Sequence, residues 1–546
     1  MRASLFAYLV CFSLAPVTTT AQVDTVSWVN EYIGTANEGQ TFPATGLPFA
    51  MTQWTPQTRE GNVKCIAPYY FSDNRIQGFR GSHFLSGSCA QDYGSMTIMP
   101  LSGDLKLGAT KRSSSFSRAT ETATPYRYAV TLSDYRIDAE LTGAARAGIM
   151  RFRFNKAGKS WILVESNSAK GEGVVQIIPK QNEITIVNPV RRLYAGNGKL
   201  AGFRGYFVVQ FDHSFHVGGT WSGEKRHAGA EHQEGKDGPP GAYVFFDLQP
   251  GEAVQARIGS SFTSLEEAQR NLESEIPGWE FNLVAEQAKH QWNLALNKIQ
   301  IDATSTQKQI FYTALYHSML LPRVFSDVSG SYPGFAGEER IETAKDFTYY
   351  CDYSLWDTFR ALHPLLTILD PDRERDMVKS LIAKGEQGGF LPIYPAWNSY
   401  TSEMVGDHAA AVIGDAYFKG ISGFDIEEAY RLMKKNATEL PATHELYADG
   451  RGRRGLNSYL KYGYIPLEDS VPDAFHKNEQ VSRTLEYAYD DWVVGEVAQS
   501  LGHDEDGELF HKRAQNYRNV IDPQTGFARG RHTDGLWDSP FNPAVQ

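Results

Sequence analysis

The sequence predicts a multidomain β-plus-α chain, an N-terminal β-sandwich followed by a helical domain. Three observations predict it. From about residue 25 to 262 the chain runs in short alternating segments such as "GIMRFRFN", "SWILVES", "GYFVVQFD" and "AYVFFDL", broken by Gly, Pro, Asn and Asp. Apolar–polar alternation over so short a run is the mark of a half-buried strand, and strands recurring without helices between them suggest two packed sheets. Beyond about residue 305 the apolar spacing changes to that of helices, and 546 residues are enough for two or more domains.

Taken in order, the N-terminus reads as a signal peptide over 1–21. Arg2 supplies the positive start, "LFAYLVCFSLAPV" is too short to span a bilayer, and "TTTAQ" ends in small residues. Secretion to the periplasm or the exterior, with cleavage near Ala21, is the expectation. The sandwich is expected over 22–264 and a helical linker over 265–300, where "SLEEAQRNLESEI" and "FNLVAEQAKHQWNLALNKI" are helical. In 301–546 the spacing predicts helices around 307–320, 354–369, 372–385, 404–420, 425–437, 483–501 and 504–520. Long loops rich in Gly, Pro, Tyr and Trp join several of them, as in "GGFLPIYPAWNSYTSEM", a usual place for binding and catalysis. No later stretch is apolar enough for a transmembrane helix. A net charge of −11 argues against a nucleic-acid partner. Cys11 leaves with the signal, so Cys65, Cys89 and Cys351 permit one disulfide and a free thiol, or none.

The stretch "YSLWDTFRALHPLL", Tyr353 to Leu366, carries the sharpest chemical signal. On a continuous helix Leu355, Phe359 and Leu362 fall on one side, and Trp356, Asp357, Arg360 and His363 on the other. Ser354 with Asp357 also fits a capping box, with Arg360 pairing to Asp357. The indole tips the reading toward a ligand, because sugar C–H faces stack on aromatics while hydroxyls bond to carboxylate and guanidinium. In "SRTLEYAYDDWVVGEVAQSLG", Leu485, Ala488, Tyr489 and Trp492 group together and Asp490 and Asp491 face away, as a solvated pair would. Glu403, Asp407 and His408 stand at a loop-to-helix junction, a better placement for a site. "GRGRRG", Gly450 to Gly455, matches a dinucleotide fingerprint letter for letter but lacks the strand before it and the helix opening on it. Zinc and EF-hand spacings are absent from the sequence.

Read together, these segments resemble glycoside hydrolase family 92, secreted calcium-dependent exo-acting α-mannosidases. The resemblance runs through "VNEYIGT", "TFPATGLPFAMTQWTPQT", "GFRGSHFLSGSCAQDYGSMTIMPLSG", "FYTALYHSMLLPRVFSDVSGSY" and "SLWDTFRALHPLL". It continues through "GGFLPIYPAWNSYTSEMVGDHAAAVIGDAYFKGI", "GYIPLEDS" and "SRTLEYAYDDW", with Ala50 in place of an expected glycine. It implies a sandwich packed on an (α/α)6 toroid, here incomplete, with the site in the cleft between them. It implies hydrolysis with inversion, in which one carboxylic acid protonates the leaving oxygen and a carboxylate activates water, the pair roughly 6.5–9.5 Å apart. It implies a calcium ion on the sugar hydroxyls and a mannose-containing glycan, such as an N-glycan with α-1,2 bonds, as substrate.

By the same resemblance Trp356 and Asp357 contact the mannose, and Arg360, from the polar side of the stretch, and His408, from the loop-to-helix junction, are expected to bind substrate beside them. The sandwich segment His83 to Tyr93, with His83, Cys89 and Asp92, closes the cleft. The family's "TEGxxWQY"-like acid segment, "NEP"-like calcium segment and "GNDDxGxMS"-like base segment are not in this sequence. The expectation is therefore a C-terminally truncated chain whose general acid, base and metal ligands lie beyond Gln546, and which is itself inactive. Two rivals remain, a non-catalytic carbohydrate-binding protein and a sandwich-plus-toroid glycoside phosphorylase.

Overall fold

The structure, a computed structural model, describes residues 23–59, 67–84, 92–168, 170–192, 198–337 and 339–544. The expected signal peptide, Cys65 and Cys89 lie outside the described residues, and Cys351 is a free, buried thiol.

Two antiparallel sheets build the N-terminal half. A seven-stranded sheet runs from Gln53–Gln57 through Gly78–Ser82, Met96–Ser102 and Ser160–Ser166 to Pro240–Phe246 and beyond. A nine-stranded sheet has Glu183–Arg191, Leu200–Phe211, Glu252–Ser261 and Ala147–Phe154 side by side in its middle. Alternate residues turn inward, so Phe79, Ile98, Ile162 and Val244 of one sheet meet Phe152, Phe207, Val209 and Ile258 of the other. Trp54 crosses this core and donates its indole N–H to the Ala147 carbonyl at 3.2 Å. Its ring lies on Gly143 and Gly148, where a Cβ would sit 2.5 and 2.2 Å from it, so these strand positions need glycine.

The last strand ends at Ser261, and Ser264 caps α1 (Leu265–Glu275) by accepting the Glu267 N–H. Helices α1 and α2 (Phe281–Leu296) are packed on the sandwich, Leu272, Ile276, Phe281 and Val284 covering Ala147 and Ile149. The segment expected as a linker is therefore a third layer. Segment 26–44 is strapped over it: the Val26 N–H bonds to Asn293, and the Tyr316 hydroxyl lies 2.5 Å from Glu31 Oε1 and 2.9 Å from the Ala44 carbonyl oxygen.

The second half contains α3 (Ser305–His317), α4 (Leu355–Thr358), α5 (Leu362–Leu369), α6 (Pro371–Gly388), α7 (Ala409–Phe418) and α8 (Ile426–Thr438). It continues with α9 (His444–Ala448), α10 (Leu456–Tyr462), α11 (Gln480–Ser500) and α12 (Asp504–Ala514). The alanine-rich α7 is nearly all buried and contacts α5, α6 and α11. This is the predicted sandwich followed by a helical domain. One core runs through both halves, linking Phe203 and Phe262 of the sandwich to Phe325, Tyr349 and Tyr353. Among the described residues no helix is long and apolar enough to cross a membrane.

The helix expected over 354–369 is broken in two. Pro364 has no N–H for the Arg360 carbonyl, and its ring would collide with that carbonyl. The chain leaves the helix at Phe359, and Ala361 at φ −144° restarts it. The helix expected over 504–520 ends at Ala514 and continues as the 3-10 turn Gln515–Val520.

Candidate functional site

The site grows from a strained turn at the junction of the two halves. Asp352 and Ser354 adopt φ of +63° and +51°, a left-handed conformation that costs about 1 kcal/mol or more per residue and must be held by its surroundings. The Asp352 carboxylate supplies the hold. Its Oδ2 accepts from the Tyr93 hydroxyl at 2.5 Å and from Arg323 Nε at 2.9 Å, and its Oδ1 from the Trp397 N–H at 3.2 Å. Arg323 in turn donates to the carbonyls of Met51 and Phe84. Sandwich, helical domain and the 390–404 loop are thus tied at one fully buried carboxylate. Burial, reinforced by Asp352, pushes the Tyr93 phenol far above its usual range, so it stays a donor. Beneath the turn Lys384 donates to the Tyr350 carbonyl and lies 3.7 Å from the Tyr349 ring. Burial pulls its ammonium down to about 8 and pushes the neighbouring Cys351 thiol up to about 12.

Out of this turn comes the single helical turn α4. Trp356 is half-buried and Asp357 exposed. The expected capping box is not formed. Ser354 Oγ donates to Asp357 Oδ2 at 3.0 Å and is 2.6 Å from the Tyr394 hydroxyl. Asp357 Oδ1, on this exposed side chain, has no hydrogen-bond partner among the described residues. Arg360 does not pair with Asp357. Its guanidinium lies 4.4 Å over the Trp356 ring and 4.6 Å over Phe359, and donates to Glu486 Oε1 on α11 at 3.1 Å. The broken helix also removes His363 from this face. It is buried, with Nδ1 3.0 Å from Glu374.

His408 joins the group from below. Its ring stacks on Phe359 at 3.8 Å and lies 5.8 Å from Trp356. Its Nδ1 is 3.1 Å from Asp490 and its Nε2 3.4 Å from Glu486. Being fully buried, it supports Phe359 and Glu486 from beneath and offers no surface of its own. The pair Asp490 and Asp491 is the clearest correction to the sequence reading, because both are fully buried and Tyr489 and Trp492 are exposed instead. Asp490 accepts the Asp407 N–H, and Asp491 binds Arg453, Arg513 and Tyr459. Arg453 bridges Asp491 to Asp407. Burial, against the pull of Arg453, pushes Asp407 up to about 6. Charges so paired and bonded survive burial. Glu403 Oε1 lies 3.5 Å from His476 Nε2.

The sandwich residues expected to close the cleft are packing. His83 is buried with Nδ1 on the Tyr93 carbonyl at 2.8 Å and Nε2 on the Thr52 hydroxyl at 3.0 Å. Burial and Arg323 hold it neutral, pulled down to about 3, and neither nitrogen is left for a sugar. Asp92 accepts from the N–H groups of His83 and Tyr93 and from Ser82 and Arg80. Segment 85–91, with Cys89, is outside the described residues.

The geometry therefore assembles a half-open indole, an open carboxylate oxygen and a guanidinium beside the inter-domain junction. Asp352, Tyr394 and Glu486 complete it and were missed from the sequence. Asp352 directly precedes the quoted stretch, but it sits in a loop where no periodicity marks it. Glu486 was in view on α11, one turn before Asp490.

Residues 28–261 match the glycosyl hydrolase family 92 N-terminal domain and residues 267–546 its catalytic domain. An uncharacterized secreted glycosidase of Arthroderma benhamiae is 25% identical over 549 residues, covering 93% of this chain and 64% of its own length. A family 92 inverting mannosidase from Bacteroides thetaiotaomicron superposes with a TM-score of 0.86 at 29% identity, over 96% of this chain and 69% of that one. A family 92 α-mannosidase from the same organism, in complex with mannoimidazole, gives 0.84 at 29% identity, over 95% and 67%. This chain thus spans less than two thirds of the curated relative it matches. With both halves matched in order across nearly its whole length, the chain belongs to glycosyl hydrolase family 92.

Proposed function

We propose that this chain carries the sandwich and part of the catalytic domain of a secreted glycosidase that releases terminal α-linked mannose from glycans with inversion. The observation that carries the reading is the open pairing of Trp356 and Asp357 next to the Asp352 junction. The part of the indole that Arg360 leaves uncovered takes the apolar face of a pyranose, Asp357 Oδ1 accepts from sugar hydroxyls, and Arg360, stacked on the indole and held by Glu486, donates beside them. The support beyond geometry is that structural relatives are mannosidases by name, one of them binding mannoimidazole. The curated relative is a secreted glycosidase.

The residues beside Trp356 bind rather than react. Inversion needs one carboxylic acid and one carboxylate facing each other across the sugar. Here Asp352, Asp407, Asp490 and Glu486 are each held in hydrogen bonds or ion pairs below or beside the site. For the calcium that the family resemblance implies, no residue of this chain is named. Among the described residues no three His, Cys, Asp or Glu side chains converge as a metal site requires, so no ligand is assigned and no step is routed through the ion.

The test is calorimetric titration of the 546-residue chain with methyl α-mannoside, methyl α-glucoside and methyl α-galactoside. The reading expects the mannoside to bind best, binding to fall in both Trp356→Ala and Asp357→Ala, and no mannose to be released from an α-linked disaccharide. Equal binding of all three sugars, or mannose release by this chain, would overturn the respective part.

A further inference from the structure

The "GRGRRG" segment has no role in that reading, yet it holds an electrostatic anomaly. Arg453 is satisfied by Asp407 and Asp491. Its neighbour Arg454 is also buried, but its Nε, Nη1 and Nη2 all lack a hydrogen-bond partner. Only the flat face of the guanidinium is used, 3.9 Å over the Tyr447 ring. Arg483, fully buried on α11, has Nε and Nη1 unpartnered while Nη2 donates to the His476 carbonyl. Among the described residues no carboxylate forms an ion pair with either.

The two cations share one neighbourhood. The Tyr487 hydroxyl, one turn after Arg483, donates to the Arg454 carbonyl. Burial draws the Arg483 guanidinium below its usual value and the charge of Arg454 adds to this, while Tyr487, Glu479 and Tyr447 oppose it. A guanidinium cannot escape burial by losing its proton, and an unpaired buried charge is among the costliest features a fold can carry. Tyr447, on which Arg454 stacks, also lines a cavity of about 380 Å³ with Thr443, His444, Gly455, Asn457 and Asp469; the two guanidinium groups stand behind this wall and do not line it. The Asp469 carboxylate does not answer the arginines, since it accepts from Ser458 and the Val471 N–H.

We propose that Arg454 and Arg483 form a binding site for a small oxyanion of the phosphate type, entered beside Tyr447. A guanidinium can offer paired N–H donors to the edge of a tetrahedral oxyanion, and Arg454 is stacked on the Tyr447 ring. The site is independent of the sugar-binding reading and stands or falls separately from it.

The experiment is titration of the 546-residue chain with inorganic phosphate at constant ionic strength, chloride making up the balance, followed by phosphorus NMR line broadening and by Tm. Saturable broadening and a rise in Tm are expected. Arg454→Met and Arg483→Met should each weaken the apparent Kd by about tenfold or more, as loss of a charge-assisted pair does. No response to phosphate in the folded chain, or unchanged affinity in both variants, overturns the site. The wild type gives a readout that does not depend on the variants folding: sulfate displaces phosphate, and failure of sulfate to compete also overturns it.

Discussion

Replacing Asp352 by alanine should cost more than any other single change at the domain junction. Its carboxylate and the Arg323 guanidinium are both fully buried, 2.9 Å apart. Without it Arg323 keeps only the Met51 and Phe84 carbonyls, with no counter-charge. The Tyr93 hydroxyl loses the Asp352 oxygen it donates to, and the Trp397 N–H loses its acceptor. Removing one partner of a buried ion pair costs about 3–5 kcal/mol. At about 2 °C per kcal/mol for a large domain, Tm by scanning calorimetry should fall by roughly 6–10 °C. Asp352→Asn keeps the shape and an acceptor oxygen but not the charge, and should fall between. The control is Asp346→Ala, an exposed residue also at positive φ (59°), which should cost about 1 kcal/mol or less, the difference between Asp and Ala in that conformation. A loss in Asp352→Ala no larger than in the control would refute the assignment of Asp352 as the tie between the halves.

Other outcomes follow from the same structure. Trp356→Ala should weaken mannoside binding about threefold to tenfold, the worth of one stacked ring, with little change in Tm because the indole is half-open. Burial pushes Glu31 up to about 8 from 4.5, so the folded state holds that proton; its contribution is complete below about pH 4.5 and is lost as pH rises through 8. Chemical denaturation should therefore show stability falling by up to about 1.4 kcal/mol per pH unit across that window, and Glu31→Gln should remove that slope; an unchanged slope contradicts it. Gly148→Ala would place a Cβ 2.2 Å from the Trp54 ring, and should cost about 1–3 kcal/mol in a urea titration.

The architecture was legible because period-two strands and the later helical spacing are set by which face each element buries. The helix at 354–369 misled because a wheel treats the backbone as continuous, whereas Pro364 breaks it. His363 then turns to Glu374 and Phe359 to His408. Trp356, Asp357 and Arg360 are brought together as the sequence suggested, but by a left-handed turn and a partner on another helix, Glu486, rather than by helical spacing. Asp490 and Asp491 were read as solvated because sequence alone does not show their partners. Arg453 comes from a loop 38 residues before Asp491 and Arg513 from 22 residues after it. His83 and Asp92 carry polar groups that look like ligands, yet they bond to Thr52 and Tyr93 and to Arg80, Ser82 and Tyr93 respectively.

A cocrystal of the 546-residue chain with mannose tests the central claim most directly. The account predicts a pyranose in van der Waals contact with the part of the Trp356 indole that Arg360 leaves uncovered, with a hydroxyl on Asp357 Oδ1 and Arg360 beside it. Sugar bound at another place while Trp356 and Asp357 stay bare would contradict it.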